Sequence, residues 1–111
     1  MNPSIERYLA MVQQHPGNEL ARFSLGKAYF DDGQFDQAKE QFHVALEKKP
    51  EWMVVQILLG KCFLARENRA EAIASFKRAR QLALEQKHES PLAEMDQLLH
   101  ELGETGKNTG I

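Results

Sequence analysis

The sequence predicts an all-α protein in which helices form antiparallel pairs that stack along one axis. The first observation is that the chain matches itself at a fixed offset, which carries Leu25 onto Leu59 and Gly26 onto Gly60. The second is that apolar residues recur at the three- and four-residue spacing of helices, whereas no segment alternates with the period of two that a strand would show. The third is a length of 111 residues with 42% hydrophobic residues, which suits one folded domain and is short for two.

The internal match starts with "LGKAYF" at residues 25–30, which returns as "LGKCFL" at residues 59–64. It continues in pairs of identical residues further along the chain: Ala38 and Ala72, Phe42 and Phe76, and Ala45 and Ala79. Gly26 and Gly60 would let a neighbouring helix approach closely, and the alanines would leave room for aromatic rings. Because one helix pair cannot bury its apolar face alone, the match predicts stacked pairs.

Leu-Gly, an aromatic residue, and then Ala, aromatic and Ala within a 34-residue period resemble the tetratricopeptide repeat. The first unit, residues 19–52, carries nearly the whole pattern, including Gly33 in its turn and Pro50 near its end. It departs from the pattern at Arg22, where the repeat usually has tryptophan. The resemblance implies a tetratricopeptide-like α-solenoid of about six helices.

Residues 1–18 are interpreted as a half repeat that begins the stack. Pro16 precedes Pro50 by the same offset that relates the two units, so the helix before Pro16 matches the second helix of a unit. Asn2 and Pro3 suit the N-cap and the first helical position. The apolar residues of this helix form one stripe: Ile5, Tyr8, Leu9 and Val12.

The second unit, residues 53–86, follows the pattern less closely. Glu67 replaces the turn glycine and Leu84 replaces the proline, which leaves open the turn geometry and the length of the second helix. Asn68 followed by Glu71 is typical of a capping box, so the second helix is expected to begin directly after Asn68.

A capping helix is predicted over residues 90–103, with Ser90 as N-cap and Pro91 in the first turn. Its apolar residues have helical spacing: Leu92, Met95, Leu98, Leu99 and Leu102. Residues 104–111 are glycine-rich and polar, so they are expected to form a flexible tail. The prediction is thus a single helical domain of residues 1–103.

Composition argues against several classes of partner. The chain has 14 Lys and Arg against 16 Asp and Glu, a net charge of −2, so no nucleic-acid partner is expected. The most apolar stretch, "WMVVQILLG", is far shorter than the roughly 20 residues that cross a bilayer. The N-terminus lacks the pattern of a signal peptide, and the single cysteine suits a reducing compartment. We therefore expect a cytoplasmic protein without a membrane partner.

Reactive residues show no arrangement that predicts an enzyme. The four histidines, His15, His43, His88 and His100, have no spacing that would bring two onto one helix face for a metal. Cys62 stands where the first unit has Ala28, which indicates a small buried residue rather than a reactive thiol. No glycine-rich phosphate loop is present. Neither catalysis nor a cofactor nor a metal is expected.

The resemblance also implies a binding surface, because the first helix of each unit lines a concave groove in this family. Four positions spaced by three, four and three residues point into it. They are Leu20, Phe23, Lys27 and Phe30 in the first unit, and Val54, Ile57, Lys61 and Leu64 in the second. Both sets read apolar, apolar, lysine, apolar. A groove this apolar predicts a contact site, in which the lysines would orient an acidic group.

Family members that hold the C-terminal carboxylate of chaperones use a clamp of lysine, asparagine and arginine residues. The matching positions here are Phe23, Lys27, Leu58, His88 and Leu92, so only Lys27 fits that clamp. The resulting interpretation is an adaptor or assembly module that binds a largely apolar segment of a protein partner in its groove. The alternative is a self-associating structural protein whose groove is buried in a homodimer.

Overall fold

A computed structural model of the protein describes residues 2–104, and within them the chain forms six α-helices and no strand. The helices are α1 (Pro3–Gln14), α2 (Glu19–Asp31), α3 (Phe35–Lys48), α4 (Met53–Ala65), α5 (Arg69–Gln86) and α6 (Glu89–Glu101). Each helix packs against its neighbours in the chain, and the most extensive contacts lie within the pairs α2–α3 and α4–α5. The predicted all-α stack of helix pairs is confirmed.

Glycine makes the close contact within each unit, as the sequence predicts. A Cβ atom on Gly26 would lie 2.6 Å from Cε1 of Phe42, and one on Gly60 would lie 2.5 Å from Cε1 of Phe76. Both rings are fully buried. The ring of the second helix therefore rests directly on the backbone of the first.

The buried side chains form two clusters. The larger one joins α3, α4, α5 and α6 and is centred on Phe42, Phe76 and Val55. The smaller one joins α1 to α2: Ile5, Val12, Ala21, Leu25 and Ala28, with Tyr8 and Leu9 partly buried beside them. The apolar stripe predicted for α1 thus packs against the first repeat.

The turn inside the second unit has the same geometry as that inside the first, although its sequence differs. Gly33 has φ +77° and Glu67 has φ +60°, both in the left-handed region. The residue after each donates its N–H to a carbonyl five positions earlier, Gln34 to Tyr29 and Asn68 to Phe63. Glu67 therefore accepts a conformation that glycine adopts at lower cost.

The second helix of the second unit is longer than its counterpart. α5 has 18 residues and α3 has 14. The chain has Leu84 where the first unit has Pro50, so no proline stops the helix. α5 ends at Gln86, and its C-cap residue Lys87 has φ +60°. As a result, α6 begins at Glu89, whereas the offset between the starts of α2 and α4 would place its first residue at Lys87.

The capping helix differs slightly from its predicted bounds of 90–103. His88 occupies the N-cap position, and Ser90 and Pro91 lie inside the first turn of α6. Proline costs no hydrogen bond there, because first-turn N–H groups have no partner within a helix. The helix ends at Glu101, and Gly103 with φ +84° follows.

Of the predicted tail, residues 105–111 lie outside the described residues. Glu104 is described, and its N–H donates to the carbonyl of Leu99 at 2.7 Å. Its carboxylate lies 3.0 Å from Lys77, whose hydrogen bond lowers the pKa of Glu104. The first contact holds Glu104 to α6, and the second ties it to α5.

Across residues 2–104, none of the helices combines the length and the apolar character needed to cross a bilayer.

Candidate functional site

The eight predicted groove residues lie on α2 and α4, and they differ widely in exposure. We call the surface formed by these residues, by Trp52, and by Glu94 and Glu101 of α6 the first-helix face. Leu20 and Val54 are exposed, at 61% and 45% of their surface. Ile57 belongs to the core and exposes 8%. The remaining five are partly buried: Phe23, Lys27, Phe30, Lys61 and Leu64.

Phe23 is held by a row of aromatic rings. Its ring centre lies 4.9 Å from that of Trp52 and 6.4 Å from that of Phe42. Lys49 also lies over the ring of Trp52, with Nζ 5.0 Å from the ring centre. Trp52 was not predicted as part of the face, although its place directly before α4 and two positions from Val54 could have indicated it. The row joins α2 and α3 to the residue that directly precedes α4.

Phe30 and Leu64 lie near the ends of α2 and α4. Phe30 meets the ring of Phe35 edge-on, with centres 5.4 Å apart, and both rings pack against the larger core. Leu64 packs against the same core. These two residues therefore combine a structural role with partial exposure on the face.

Both lysines of the face already have a carboxylate partner. Lys27 lies 2.8 Å from Asp31, one helical turn further along α2. Lys61 lies 3.0 Å from Glu94, which comes from α6. Glu94 was not predicted as part of the face, because the sequence shows only an amphipathic capping helix there. Its contact with Lys61 brings α6 onto the same face as α4.

Two shallow depressions adjoin the face. One, of about 280 Å³, lies between α1 and α2 and contains two predicted groove residues; its lining is Ser4, Tyr8, Phe23, Ser24, Lys27, Ala28 and Asp31. The other, of about 480 Å³, lies at the connections before α4 and α6; its lining is Lys49, Glu51, Trp52, Met53, Val54, Gln86 and His88. Phe23 and Lys27 thus border the first depression, and Val54 borders the second.

Cys62 is fully buried, as its correspondence to Ala28 predicts. Burial raises the pKa of its thiol to about 11, so the thiol is protonated at neutral pH. A protonated buried thiol is a packing group and not a nucleophile.

The four histidines are exposed, and among residues 2–104 no three His, Cys, Asp or Glu side chains are grouped as a metal site requires. The expectation that the chain has neither a metal nor a catalytic group stays a prediction.

The family model of the tetratricopeptide repeat matches residues 23–85. The chain belongs to the tetratricopeptide repeat family. Its match takes in most of both full units and includes the two glycine contacts with Phe42 and Phe76. A search of curated protein sequences finds no match.

Solved structures share the fold. The solution structure of protein BPP2914 from Bordetella parapertussis has a TM-score of 0.80 and 31% identity, over 93% of this chain and 90% of that chain. The TPR2B domain of yeast Sti1, in a complex with pHsp70, has a TM-score of 0.79 and 22% identity, over 89% and 79%. The first TPR domain of Spaghetti (RPAP3), bound to an HSP90 peptide, has a TM-score of 0.74 and 19% identity, over 89% of this chain and 77% of that chain. The last two identities are low, so those two show the fold alone.

Proposed function

We propose that this chain is a protein-interaction module that binds a segment of a partner protein on the first-helix face, as an adaptor or assembly factor without catalysis. The observation that carries the proposal is the exposure of Leu20 and Val54, which occupy the same position in successive units. Exposed apolar side chains grouped on one face favour a contact site. The Sti1 and Spaghetti structures, which hold partners in complex, support the same kind of function.

The predicted residues have distinct parts in this proposal. Leu20 and Val54 would contact the partner directly, because they are the two exposed apolar residues of the predicted set. Phe23, Phe30 and Leu64 would add the edges of partly buried side chains. Ile57 would support the face from beneath, and the two lysines would lie at its polar side. A standard stable interface buries roughly 800 Å² per partner, and we expect a face built by two units to bury less, with modest affinity.

The experiment is selection of a displayed library of random peptides on the immobilised chain, followed by surface plasmon resonance with an enriched peptide. The test variant carries Leu20→Ser and Val54→Ser. The control carries Met11→Ser and Leu84→Ser, since these residues are equally apolar and 43% and 44% exposed but lie on α1 and α5. Loss of two anchors should cost more than about 1 kcal/mol each, which raises the dissociation rate at least about tenfold. Equal binding by both variants would contradict the proposal.

The competing function is self-association, in which a second copy covers Leu20 and Val54. Light scattering across a wide concentration range separates the two. A monomer at every concentration supports segment binding, whereas a dimer that persists on dilution and dissociates with Leu20→Ser and Val54→Ser supports self-association.

A further inference from the structure

We infer that the partner segment presents a basic side chain, and not an acidic one, to the α6 side of the first-helix face. The inference rests on the proposed function and specifies the chemistry of its partner. It reverses the expectation from the sequence, in which the two lysines would orient an acidic group.

The first argument is the position of Glu94. Because α6 starts two positions later than the offset between α2 and α4 would place it, its sixth residue is Glu94. The sixth residue of α2 is Ser24 and that of α4 is Leu58. Because of the longer α5, the position that is uncharged in α2 and α4 holds a carboxylate in α6. This carboxylate, of Glu94, lies 3.0 Å from Lys61.

The second argument is the ninth residue of each first helix. It is Lys27 in α2 and Lys61 in α4, but Gln97 in α6. Gln97 donates from Nε2 to the carboxylate of Glu101 at 2.9 Å. This contact repeats the spacing of Lys27 and Asp31, with an uncharged amide in place of the ammonium group. The row of lysines therefore stops before α6.

The third argument is the charge of α6 as a whole. The helix contains no Lys or Arg and has four carboxylates: Glu89, Glu94, Asp96 and Glu101. Asp96 is paired with Arg80 of α5. On α2, α4 and α6, the two lysines are then accompanied by the three carboxylates of Asp31, Glu94 and Glu101. Beside Trp52, Lys49 is accompanied by Glu51, so one carboxylate remains in excess.

These charges favour a cation on the partner. The existing pairs occupy lysines and carboxylates alike, so the excess of carboxylates decides the preference. An incoming carboxylate would be repelled by the acidic α6. An incoming Lys or Arg could use the remaining oxygens of Glu94 and Glu101, since a carboxylate accepts several hydrogen bonds. Glu94 remains 46% exposed, so such a group can reach it. Exposed pairs are weak, so charge would act mainly through partner choice and association rate.

The test compares displayed random-peptide selections on the full chain and on three variants. Glu94→Lys and Glu101→Lys reverse the charge at two separate points of the face. Glu40→Lys makes the same change at an exposed position of α3 and serves as the control. Circular dichroism melts of each variant establish that it is folded. If Glu94→Lys does not fold, Glu101→Lys still tests the inference.

Peptides selected on the wild type should be enriched in Lys and Arg relative to the starting library, and Glu40→Lys should not alter this. Either test variant should reduce the enrichment. In fluorescence anisotropy, Glu94→Gln should lower the affinity for a selected basic peptide by about two- to fivefold, as expected for an exposed pair. Enrichment in Asp and Glu, or none in any charge, would overturn the inference and leave segment binding intact. If no peptide is selected on any folded variant, the proposed function fails and the inference fails with it.

Discussion

Gly60 and Phe76 form a contact that only glycine permits, because the ring of Phe76 lies where a Cβ atom would be and has no exposed surface into which to move. The same arrangement joins Gly26 to Phe42. Two glycines inside helices lower helix propensity. Their repetition therefore indicates that close packing of each pair outweighs that loss.

Gly60→Ala should lower stability even though alanine is the better helix former. Overpacking costs about 1–3 kcal/mol, which corresponds to a melting temperature lower by about 4 °C or more in a domain of this size. The control is Gly17→Ala in an exposed turn, where a Cβ atom would find its nearest neighbour, Lys48 Nζ, at 3.7 Å. Thermal melts with no difference between the two variants would contradict the packing argument.

Cys62 should make stability depend on pH in the alkaline range. Its pKa rises from 9.0 to about 11 on folding, because burial disfavours the thiolate. The protonated thiol stabilises the folded state fully below pH 9, and this contribution is lost as the pH rises through 11. One pKa unit corresponds to about 1.4 kcal/mol.

The measurement is urea unfolding between pH 8 and 11 for the wild type and for Cys62→Ala, which takes the residue found at the matching position 28. All other ionisable groups are the same in both proteins, so only the difference between the two curves reports on the thiol. The wild type should lose more stability than the variant. Parallel curves would show that the thiol ionises as easily in the folded chain as in the unfolded one.

Helix starts differ in how they are capped. Asn18 and Asn68 accept backbone N–H groups three positions ahead, at 3.0 Å and 3.3 Å, whereas Gln34 before α3 makes no such bond. Gln34 and Asn68 occupy the same position in the two units and have nearly the same backbone angles. The two units thus provide a matched comparison of one position with and without a side-chain cap.

Asn68→Ala should destabilise the protein by about 1 kcal/mol, the usual cost of an N-cap. Gln34→Ala removes only an exposed hydrogen bond to Asp32 and should cost clearly less. Chemical denaturation of both variants measures the difference. If the two losses are equal, the Asn68 side chain does not act as a cap.

α6 covers the end of the stack with Met95 and Leu99, of which 0% and 6% are exposed. Contacts of α5 with Asp96, Glu104 and the Leu102 carbonyl hold it in place. Its outer side is polar, as the end helix of a solenoid requires.

Ending the chain after Glu104 should leave the melting temperature unchanged within about 2 °C, because the contacts of Glu104 with α5 are kept. Ending it after His88 should expose the apolar surface of α5 and cause aggregation. Size-exclusion chromatography and thermal melts of both truncations are the measurements. A monomeric and equally stable chain without α6 would show that the helix does not cap the stack.

At the scale of the molecule, stability should vary along the stack, since contacts are made between neighbouring helices. α4 lies between α3 and α5 and has eight buried residues. α1 contacts α2 and has two, Ile5 and Val12. The N-terminal end therefore depends on one neighbour and on the smaller core.

Native-state hydrogen exchange should show the least protection in α1 and the greatest in α4, because end helices open without the rest of the solenoid. Ile5→Ala should increase exchange in α1 more than in α4. Equal protection of the two helices, with equal sensitivity to this change, would indicate a single cooperative unit instead.

Periodicity in the sequence determined the helix count, the two glycine contacts and the apolar stripe of α1. These features depend on residues close in sequence or on identities that recur from one unit to the next. The sequence alone also identified Leu20 and Val54 as equivalent positions, because equivalence follows from the period.

Tertiary structure decided the exposure and charge of the face. Ile57 lies in the core although Phe23, its equivalent, stays partly exposed against Trp52, because each residue meets different neighbours. The contact of Glu94 with Lys61 depends on the length of α5. The sequence could not predict this length, because Leu84 stands where the first unit has Pro50. A two-residue extension rotates the following helix by about half a turn relative to its expected register. The helical period fixes which residues share a face, whereas the lengths of preceding helices and the neighbours packed beside them fix what that face presents.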